Sequence, residues 1–341
     1  MTGFISYFRA HLRSGVKTLI YLIAITLILT VIIGMNAQVE EPFQADDPPT
    51  YRSTLYIPVI VLVILIYLVP LLEFSFFKKR INLNCAYSMP ISRRAMGTVH
   101  YLTGAITITT VYTLSYLANF ILLLTREAGH YVFQPMIEHY FLTLLFGLAF
   151  YSLMCFVFNE ANTTGDGVCF MLLWSFAMFF VSYFLFRILG IETFPNHINQ
   201  LQGSNPFDFI SQLTNRYQIL CELDTTIVHS YYRDSWWSLS AIPRWQIVWI
   251  FIGIASALGL IFTFGKRRME KTEEISDSFF GYRVLIPFYA VTSMFMLKSF
   301  FFWVIFEILA LIGYTIYRRG FRYKLSDIII LLSMLIFLFF I

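Results

Sequence analysis

The sequence contains few charged residues: Asp, Glu, Lys and Arg make up 13% of its 341 residues, whereas soluble domains contain about 25%. Hydrophobic residues make up 58% of the chain, and its mean hydropathy is +0.70. One globule cannot hide this much apolar surface from water, so lipid must cover part of it. The scarcity of charge therefore excludes a soluble domain and a disordered chain, and it predicts a polytopic membrane protein.

The chain also lacks the motifs of several classes of enzyme. It has no GxxxxGK[ST] loop, whose backbone amides and lysine bind the phosphates of ATP. Its six histidines form no HExxH motif, and we predict no metal site and no cofactor bound by this chain. Four cysteines are too few for a disulfide scaffold, and a net charge of +4 is too small for a nucleic-acid-binding protein. We therefore expect neither an enzyme nor a nucleic-acid partner.

Long apolar stretches predict the membrane spans. A helix needs about 20 mostly apolar residues to cross the hydrocarbon of a bilayer. Six stretches meet this requirement without an internal charge: residues 18–36, 55–72, 99–124, 140–158, 168–186 and 247–264. Residues 284–317 are too long for one crossing and predict a hairpin of two helices, and residues 325–341 predict a ninth span.

The positions of Lys and Arg predict the orientation of the chain, because cytoplasmic loops near the ends of spans are enriched in them. Most of these 24 residues fall in four segments that the predicted spans place on one side of the membrane: residues 9–17, 78–94, 266–283 and 318–324. We therefore predict a multi-pass protein of the plasma membrane with a cytoplasmic N-terminus.

Two segments outside the spans have helical periodicity. In residues 1–17, apolar residues recur at helical spacing around Arg9 and Arg13, which favours an elbow helix lying in the membrane interface. The alternative is a cytoplasmic extension of the first span. Residues 190–243 form a long external segment, in which Asn205 and Pro206 begin a predicted amphipathic helix. Its apolar face consists of Phe207, Ile210, Leu213, Tyr217 and Leu220.

Two carboxylates lie in or beside predicted spans, where an ionisable group is costly and therefore a candidate for function. Glu73 lies at the cytoplasmic end of the second span, within reach of water or of Lys78. Glu307 lies near the middle of a C-terminal span and needs a partner or a proton. A structural hydrogen bond and a role in transport or proton movement both remain open for Glu307.

The cytoplasmic connection between the second and third spans carries the most specific pattern. It reads EFSFFKKR at residues 73–80 and SMPISRR at residues 88–94. This pattern resembles the permease subunits of ABC type-2 transporters, in particular a Firmicutes exporter-like group associated with acetoin utilisation and cell-wall antibiotic response. The segment KRRMEK at residues 266–271 is similar to the basic exit motif of that group, although Thr272 and Glu273 stand where an Ala-Gly pair is commoner.

The resemblance implies a fold and a division into domains. The fold is an all-α, six-helix ABC type-2 (type V exporter) transmembrane core with an N-terminal elbow helix, here followed by about three additional C-terminal membrane helices. The domains are the elbow helix at residues 1–17, the core at residues 18–265, a cytoplasmic linker at residues 266–283 and the additional helices at residues 284–341.

The resemblance also implies partners. A coupling helix in the loop would dock in a cleft of a separate ABC ATPase subunit, which binds ATP and Mg, and a second permease, identical or homologous, would lie beside this one in membrane lipid. Ala86 and Ser88 are expected to be small contact residues of the cleft. The whole coupling loop consists of Asn82, Leu83, Ala86, Tyr87, Ser88, Met89, Pro90, Ser92, Arg93 and Arg94.

The expected function is that of a permease subunit in an ATP-driven exporter, or in a resistance or immunity system, for a peptide, an antibiotic or a lipid-like substrate. Three alternatives remain. The basic loop can be a positive-inside anchor without a partner. The chain can also be a secondary transporter, which would place polar groups near the middle of the membrane, or an intramembrane enzyme.

Overall fold

The computed structural model describes residues 2–36, 55–124, 133–188, 210–211, 213–214, 217, 247–266, 272–296, 300–318 and 320–338. Their helices are α1 (Thr2–Asn36), α2 (Tyr56–Phe74), α3 (Arg80–Tyr87), α4 (Arg93–Leu124), α5 (Phe133–Glu160), α6 (Thr164–Ile188), α7 (Ile247–Lys266), α8 (Tyr282–Met296), α9 (Phe300–Tyr317) and α10 (Leu325–Leu338). A 3-10 turn, Ser75–Lys78, follows α2.

Five of these helices, α1, α2, α4, α5 and α7, are long and apolar enough to cross a membrane. The residues described above contain helices and no strand. Both observations confirm an all-α membrane protein with several spans. Residues 284–317 are divided between α8 and α9, as the sequence predicts, but α8 and α10 have only 15 and 14 residues. These described parts rise about 22 Å, and the residues that follow each of them, 297–299 and 339–341, lie outside the described residues.

The N-terminal elbow helix predicted for residues 1–17 is not a separate element. Residues 2–36 form one continuous helix of 35 residues, which is about 52 Å long and so exceeds the hydrocarbon by about 20 Å. The first turns of α1 therefore extend beyond the span, which was the alternative reading of the sequence. They continue the helix because Tyr7 and His11 form hydrogen bonds with residues of α2 and α4.

The chain divides into two compact units. Unit 1 comprises Met1–Phe74, Tyr87–Phe156 and Asn199–Lys266, and unit 2 comprises Ser75–Ala86, Val157–Ile198 and Arg267–Ile341. This division differs from the predicted domains at residues 18–265, 266–283 and 284–341. Residues 157–198 of the predicted core belong with the C-terminal helices, because α6 packs against α8.

In unit 1, α4 packs against α1, α2 and α7. Some polar side chains between these helices are buried as hydrogen-bonded pairs. Thr30 Oγ1 on α1, for example, lies 2.7 Å from Ser115 Oγ on α4. The contact between α7 and α5 depends on glycine, because a Cβ at Gly253 would lie 2.6 Å from the Cα of Ala149. A larger residue at Gly253 would force these two backbones apart.

Part of the amphipathic helix predicted in the external segment is described, and it belongs to unit 1. Ile210, Leu213 and Tyr217 are helical and buried, in agreement with the predicted apolar face. Thr214 Oγ1 lies 3.1 Å from His139 Nε2 on α5. The predicted helix start at residues 205–206, together with Phe207 and Leu220, lies outside the described residues.

In unit 2, the segment between α7 and α8 is fixed to the start of α6. The carboxylate of Asp166 accepts hydrogen bonds from the Ser276 backbone and hydroxyl and from the hydroxyl of Tyr282. In the same unit, Arg318 donates two hydrogen bonds to Asp327, at 2.8 and 3.0 Å. The hydrogen bond to Asp327 raises the pKa of Arg318.

Candidate functional site

Four side chains of unit 1 form a polar group that we call the His–Glu cluster: Tyr7 and His11 from α1, Glu73 from α2 and His100 from α4. Tyr7 and His11 lie one helical turn apart, so both face the same neighbours. Glu73 is the penultimate residue of α2, and His100 lies two turns into α4. The packing of α1, α2 and α4 thus brings together residues that are distant in sequence.

The cluster is a connected chain of hydrogen bonds. His11 Nε2 and His100 Nδ1 lie 2.9 and 3.0 Å from the same carboxylate oxygen, Glu73 Oε2. Tyr7 Oη lies 3.2 Å from His100 Nε2. With neutral imidazoles, this network is satisfied when Tyr7 donates to His100 and each imidazole donates to Glu73.

Aromatic rings hold the cluster in place. The centroids of the His11 and His100 rings lie 3.9 Å apart, and the ring of Phe74 packs at 6.2 Å from His100. The side chains of His11, Glu73 and His100 are 21%, 15% and 6% exposed. The cluster is therefore mostly buried but open on the side of α1.

The structure corrects the expected surroundings of Glu73. The sequence predicts water or Lys78 as its partner, whereas its carboxylate lies between His11 and His100. These histidines are 62 and 27 residues from Glu73, so no local motif joins them. The sequence signal for this site was Glu73 itself, because an ionisable group at the end of a membrane span needs a polar or charged partner.

Lys78 lies in unit 2 and is only 2% exposed. Its Nζ donates to the backbone carbonyls of Phe158, Asn159 and Ala161, at 2.7, 3.2 and 2.5 Å, and lies 4.9 Å from the centroid of the Phe158 ring. The last carbonyls of a helix have no partner within the helix and carry partial negative charge. Lys78 therefore caps the C-terminal end of α5.

The start of α3 is held by the segment that precedes α8, also in unit 2. The backbone N–H of Arg80 donates to Glu273 Oε1 at 3.2 Å, and its guanidinium donates to the Thr272 carbonyl at 2.9 Å. Glu273 has a φ of +70°, a backbone conformation that favours glycine. This position is where the resemblance leads one to expect glycine. A carboxylate near the first turn of a helix stabilises the helix, which offsets the strain at Glu273.

The residues of the predicted coupling loop differ in exposure. On α3, Ile81 is 79% exposed and Asn84 is exposed, but Leu83 and Ala86 are 1% and 0% exposed. Ala86 is therefore packed within this chain and is not the small docking contact that the sequence predicts. Asn82 is half-buried, and the side chain of Tyr87 lies outside the described residues.

The rest of the loop belongs to unit 1. Its exposed residues are Ser88, Met89, Pro90, Ser92, Arg93 and Arg94. The guanidinium of Arg94 lies 5.6 Å from the centroid of the Phe262 ring on α7. This cation–π contact fixes the start of α4 to α7, so Arg94 has a structural contact of its own.

Glu307 lies on α9 in unit 2. Its Oε2 is buried and has no hydrogen-bond partner among the described residues. Val304 and Ala310, one turn before and after it on the same helix face, belong to an apolar cluster with Ala290 of α8. From the sequence, one possibility for Glu307 is a structural hydrogen bond. Among the described residues, Oε2 of Glu307 makes no such bond.

Replacing Glu307 by leucine should stabilise the protein, because it removes an unsatisfied polar group from apolar surroundings. We expect the free energy of unfolding to rise by about 1–3 kcal/mol, measured as a higher midpoint of thermal unfolding in detergent. The matched control is Glu274→Leu, since Glu274 is exposed and its replacement should change the midpoint little. A lower midpoint for Glu307→Leu would show that this carboxylate forms a stabilising contact.

Comparisons with protein-family models, curated proteins and solved structures find no significant match to this chain. The resemblance in the connection between α2 and α4 therefore rests on its sequence pattern alone.

Proposed function

We propose that this protein is a permease subunit of a membrane transporter that is driven by a separate ATPase, and that α3 is the helix on which the ATPase docks. The observation that carries the proposal is the geometry of α3. This eight-residue helix comes between two candidate membrane-spanning helices in the sequence, is fixed at its start and has a large apolar side chain that is exposed.

The outward face of α3 is suited to a protein partner. Arg80, Asn82 and Asn84 make α3 polar, which supports a position in water at the membrane surface. Ile81 is nevertheless 79% exposed. Burial of an isoleucine side chain contributes about 1.5–3 kcal/mol, so a complementary cleft on a soluble partner would gain from covering it.

The attachment of α3 is suited to transmitting a movement. Lys78, just before α3, is bonded to the end of α5, and Arg80, its first residue, is bonded to the segment at residues 272–273. That segment is joined in turn to the start of α6 through Ser276 and Asp166. A displacement of α3 would therefore be passed to the end of α5 and to the start of α6 by direct hydrogen bonds.

The missing phosphate-binding loop supports a separate ATPase, which would bind ATP and Mg itself. We further propose that two permease subunits, identical or homologous, form the pathway in the plasma membrane, with the N-terminus cytoplasmic. The substrate classes that the resemblance favours are a peptide, an antibiotic or a lipid-like molecule, moved outward or removed for resistance or immunity.

The purified chain is expected to hydrolyse no ATP, and a co-purifying subunit with a GxxxxGK[ST] loop is expected to supply the activity. The measurement is ATP hydrolysis by the affinity-purified protein, with and without the partner, in the same detergent. A partner carrying a Lys→Ala change in its phosphate-binding loop is the control and should bind without hydrolysis. Hydrolysis by the chain alone would contradict the proposal.

A secondary transporter is the second candidate, and the buried oxygen of Glu307 without a described partner favours it. A carboxylate of this kind can carry a proton across a membrane. The two functions differ in their energy source. Transport into sealed vesicles that follows a proton gradient without ATP, and is lost in Glu307→Gln, would support the second candidate and exclude the first.

A further inference from the structure

We propose that His11, Glu73 and His100 form a binding site for one divalent transition-metal ion, with Zn²⁺ as the best-matched ion. The three donor atoms are His11 Nε2, Glu73 Oε2 and His100 Nδ1, and all lie within 4.8 Å of one another. Each comes from a different helix, namely α1, α2 and α4. The site does not depend on the proposed transport function.

The donor set determines the class of ion. Imidazole nitrogen suits Zn²⁺ and its neighbours in the first transition series, whereas Mg²⁺ and Ca²⁺ prefer sites made of oxygen alone. Two histidines and one glutamate form the ligand set of one class of zinc site, in which the fourth position is open to water. The same three groups in this protein thus favour a transition metal.

The distances between the donors are close to those that a bound ion requires. Zn²⁺ lies about 2.0–2.1 Å from nitrogen and oxygen ligands, so two ligands of a tetrahedral ion are about 3.3 Å apart. Glu73 Oε2 lies 2.9 Å from His11 Nε2 and 3.0 Å from His100 Nδ1. A bound ion would move Glu73 Oε2 a few tenths of an ångström away from each imidazole nitrogen. The two imidazole nitrogens lie within 4.8 Å of each other, so the ion would draw the His11 and His100 side chains together by up to about 1.5 Å.

Tyr7 supplies the outer contact that metal-binding histidines usually have. Its hydroxyl lies 3.2 Å from His100 Nε2, the nitrogen that faces away from Glu73. A histidine that binds a metal through Nδ1 carries its proton on Nε2, and a hydrogen bond to that proton orients the ring. Tyr7 can accept this bond by turning its hydroxyl, so the contact serves the metal-bound form as well as the metal-free form.

The position of the cluster gives the ion access from water. Tyr7 and His11 lie in the part of α1 that extends beyond the predicted span at residues 18–36, and the His11 side chain is 21% exposed. His100 at the far side is 6% exposed. An ion would therefore enter past His11, keep a water ligand on that side and join α1 to α2 and α4.

The test uses the full-length protein in detergent, stripped with a chelator that is then removed, and titrated with ZnCl₂ by calorimetry. One ion per chain is expected, with X-ray absorption of the complex showing two imidazoles and oxygen ligands. His11→Gln, Glu73→Gln and His100→Gln should each weaken binding by more than about 100-fold, because an outer-shell change alone weakens binding by about 10–100-fold. Tyr7→Phe, which removes only the outer contact, should weaken Zn²⁺ binding less than the three ligand variants do.

His139→Gln is the matched control, because it removes a described histidine whose neighbours are Tyr116 and Thr214, and the Zn²⁺ affinity of this variant should equal that of the unaltered protein. The X-ray absorption measurement needs no variant, so it decides the matter even if a ligand variant fails to fold. Absence of Zn²⁺ binding at millimolar concentration, a spectrum with sulfur ligands, or unchanged affinity in all three ligand variants would overturn the proposal. In each case the cluster would be a hydrogen-bonded network alone.

Discussion

Under the proposed function, replacing Ile81 by glutamate is expected to separate this chain from its ATPase partner. Ile81 is 79% exposed on α3, so the change should leave the fold and membrane insertion intact. In the complex, however, a carboxylate would be buried in a cleft shaped for an apolar side chain. Loss of a central contact together with burial of a charge costs about 2–4 kcal/mol of binding, or a fall in affinity of about 30-fold to 1,000-fold.

The measurement is binding of the ATPase and permease-dependent ATP hydrolysis on one preparation, with thermal unfolding as a check of the fold. Ile81→Val keeps an apolar side chain at the same position and should retain most of the binding. If Ile81→Glu binds the ATPase and supports transport normally, the connection between α2 and α4 is an anchor at the membrane surface and α3 is not the docking helix.

Replacing Lys78 by methionine is expected to destabilise the protein more than any other single change considered. The ammonium group is buried and donates to three carbonyls at the end of α5. Methionine fills a similar volume but leaves these carbonyls without their cationic donor. Because hydrogen bonds to a charged group contribute about 1.5–3 kcal/mol each, and such contributions are not additive, we expect a loss of about 3–5 kcal/mol.

The neighbouring Lys79 provides a matched control, since it has the same side chain but is exposed. Lys79→Met should change the free energy of unfolding by less than about 0.5 kcal/mol. Thermal or denaturant unfolding of both variants in the same detergent measures the difference. Equal stabilities for the two variants would show that the contacts of Lys78 do not stabilise the end of α5.

The membrane helices were predictable because an apolar run of sufficient length has few alternatives in lipid. The predicted spans at residues 55–72 and 247–264 match α2 and α7 closely. The predicted elbow was wrong, although its amphipathic pattern is present. That pattern fits a surface helix and an extension of α1 equally well, and only the hydrogen bonds of Tyr7 and His11 distinguish them.

The His–Glu cluster was not predictable from the sequence, because its residues come from three helices. Glu73 was identified as a costly group, but nothing local indicated that His11 and His100 would be its partners. Lys78 belongs to the basic residues that predict a cytoplasmic loop, and that pattern did not indicate that its side chain is buried and caps a helix. Charge patterns report the side of the membrane and not the contacts of each residue.

The exposed face of α3 is tested most directly by cross-linking from defined positions in native membranes. A photoreactive amino acid at Ile81 should cross-link to a subunit that contains a GxxxxGK[ST] loop. The same group at Leu83, which is 1% exposed on the same helix, should give far less of that product. An ATPase that cross-links equally from both positions, or no cross-link from Ile81 while the complex remains intact, would contradict docking on α3.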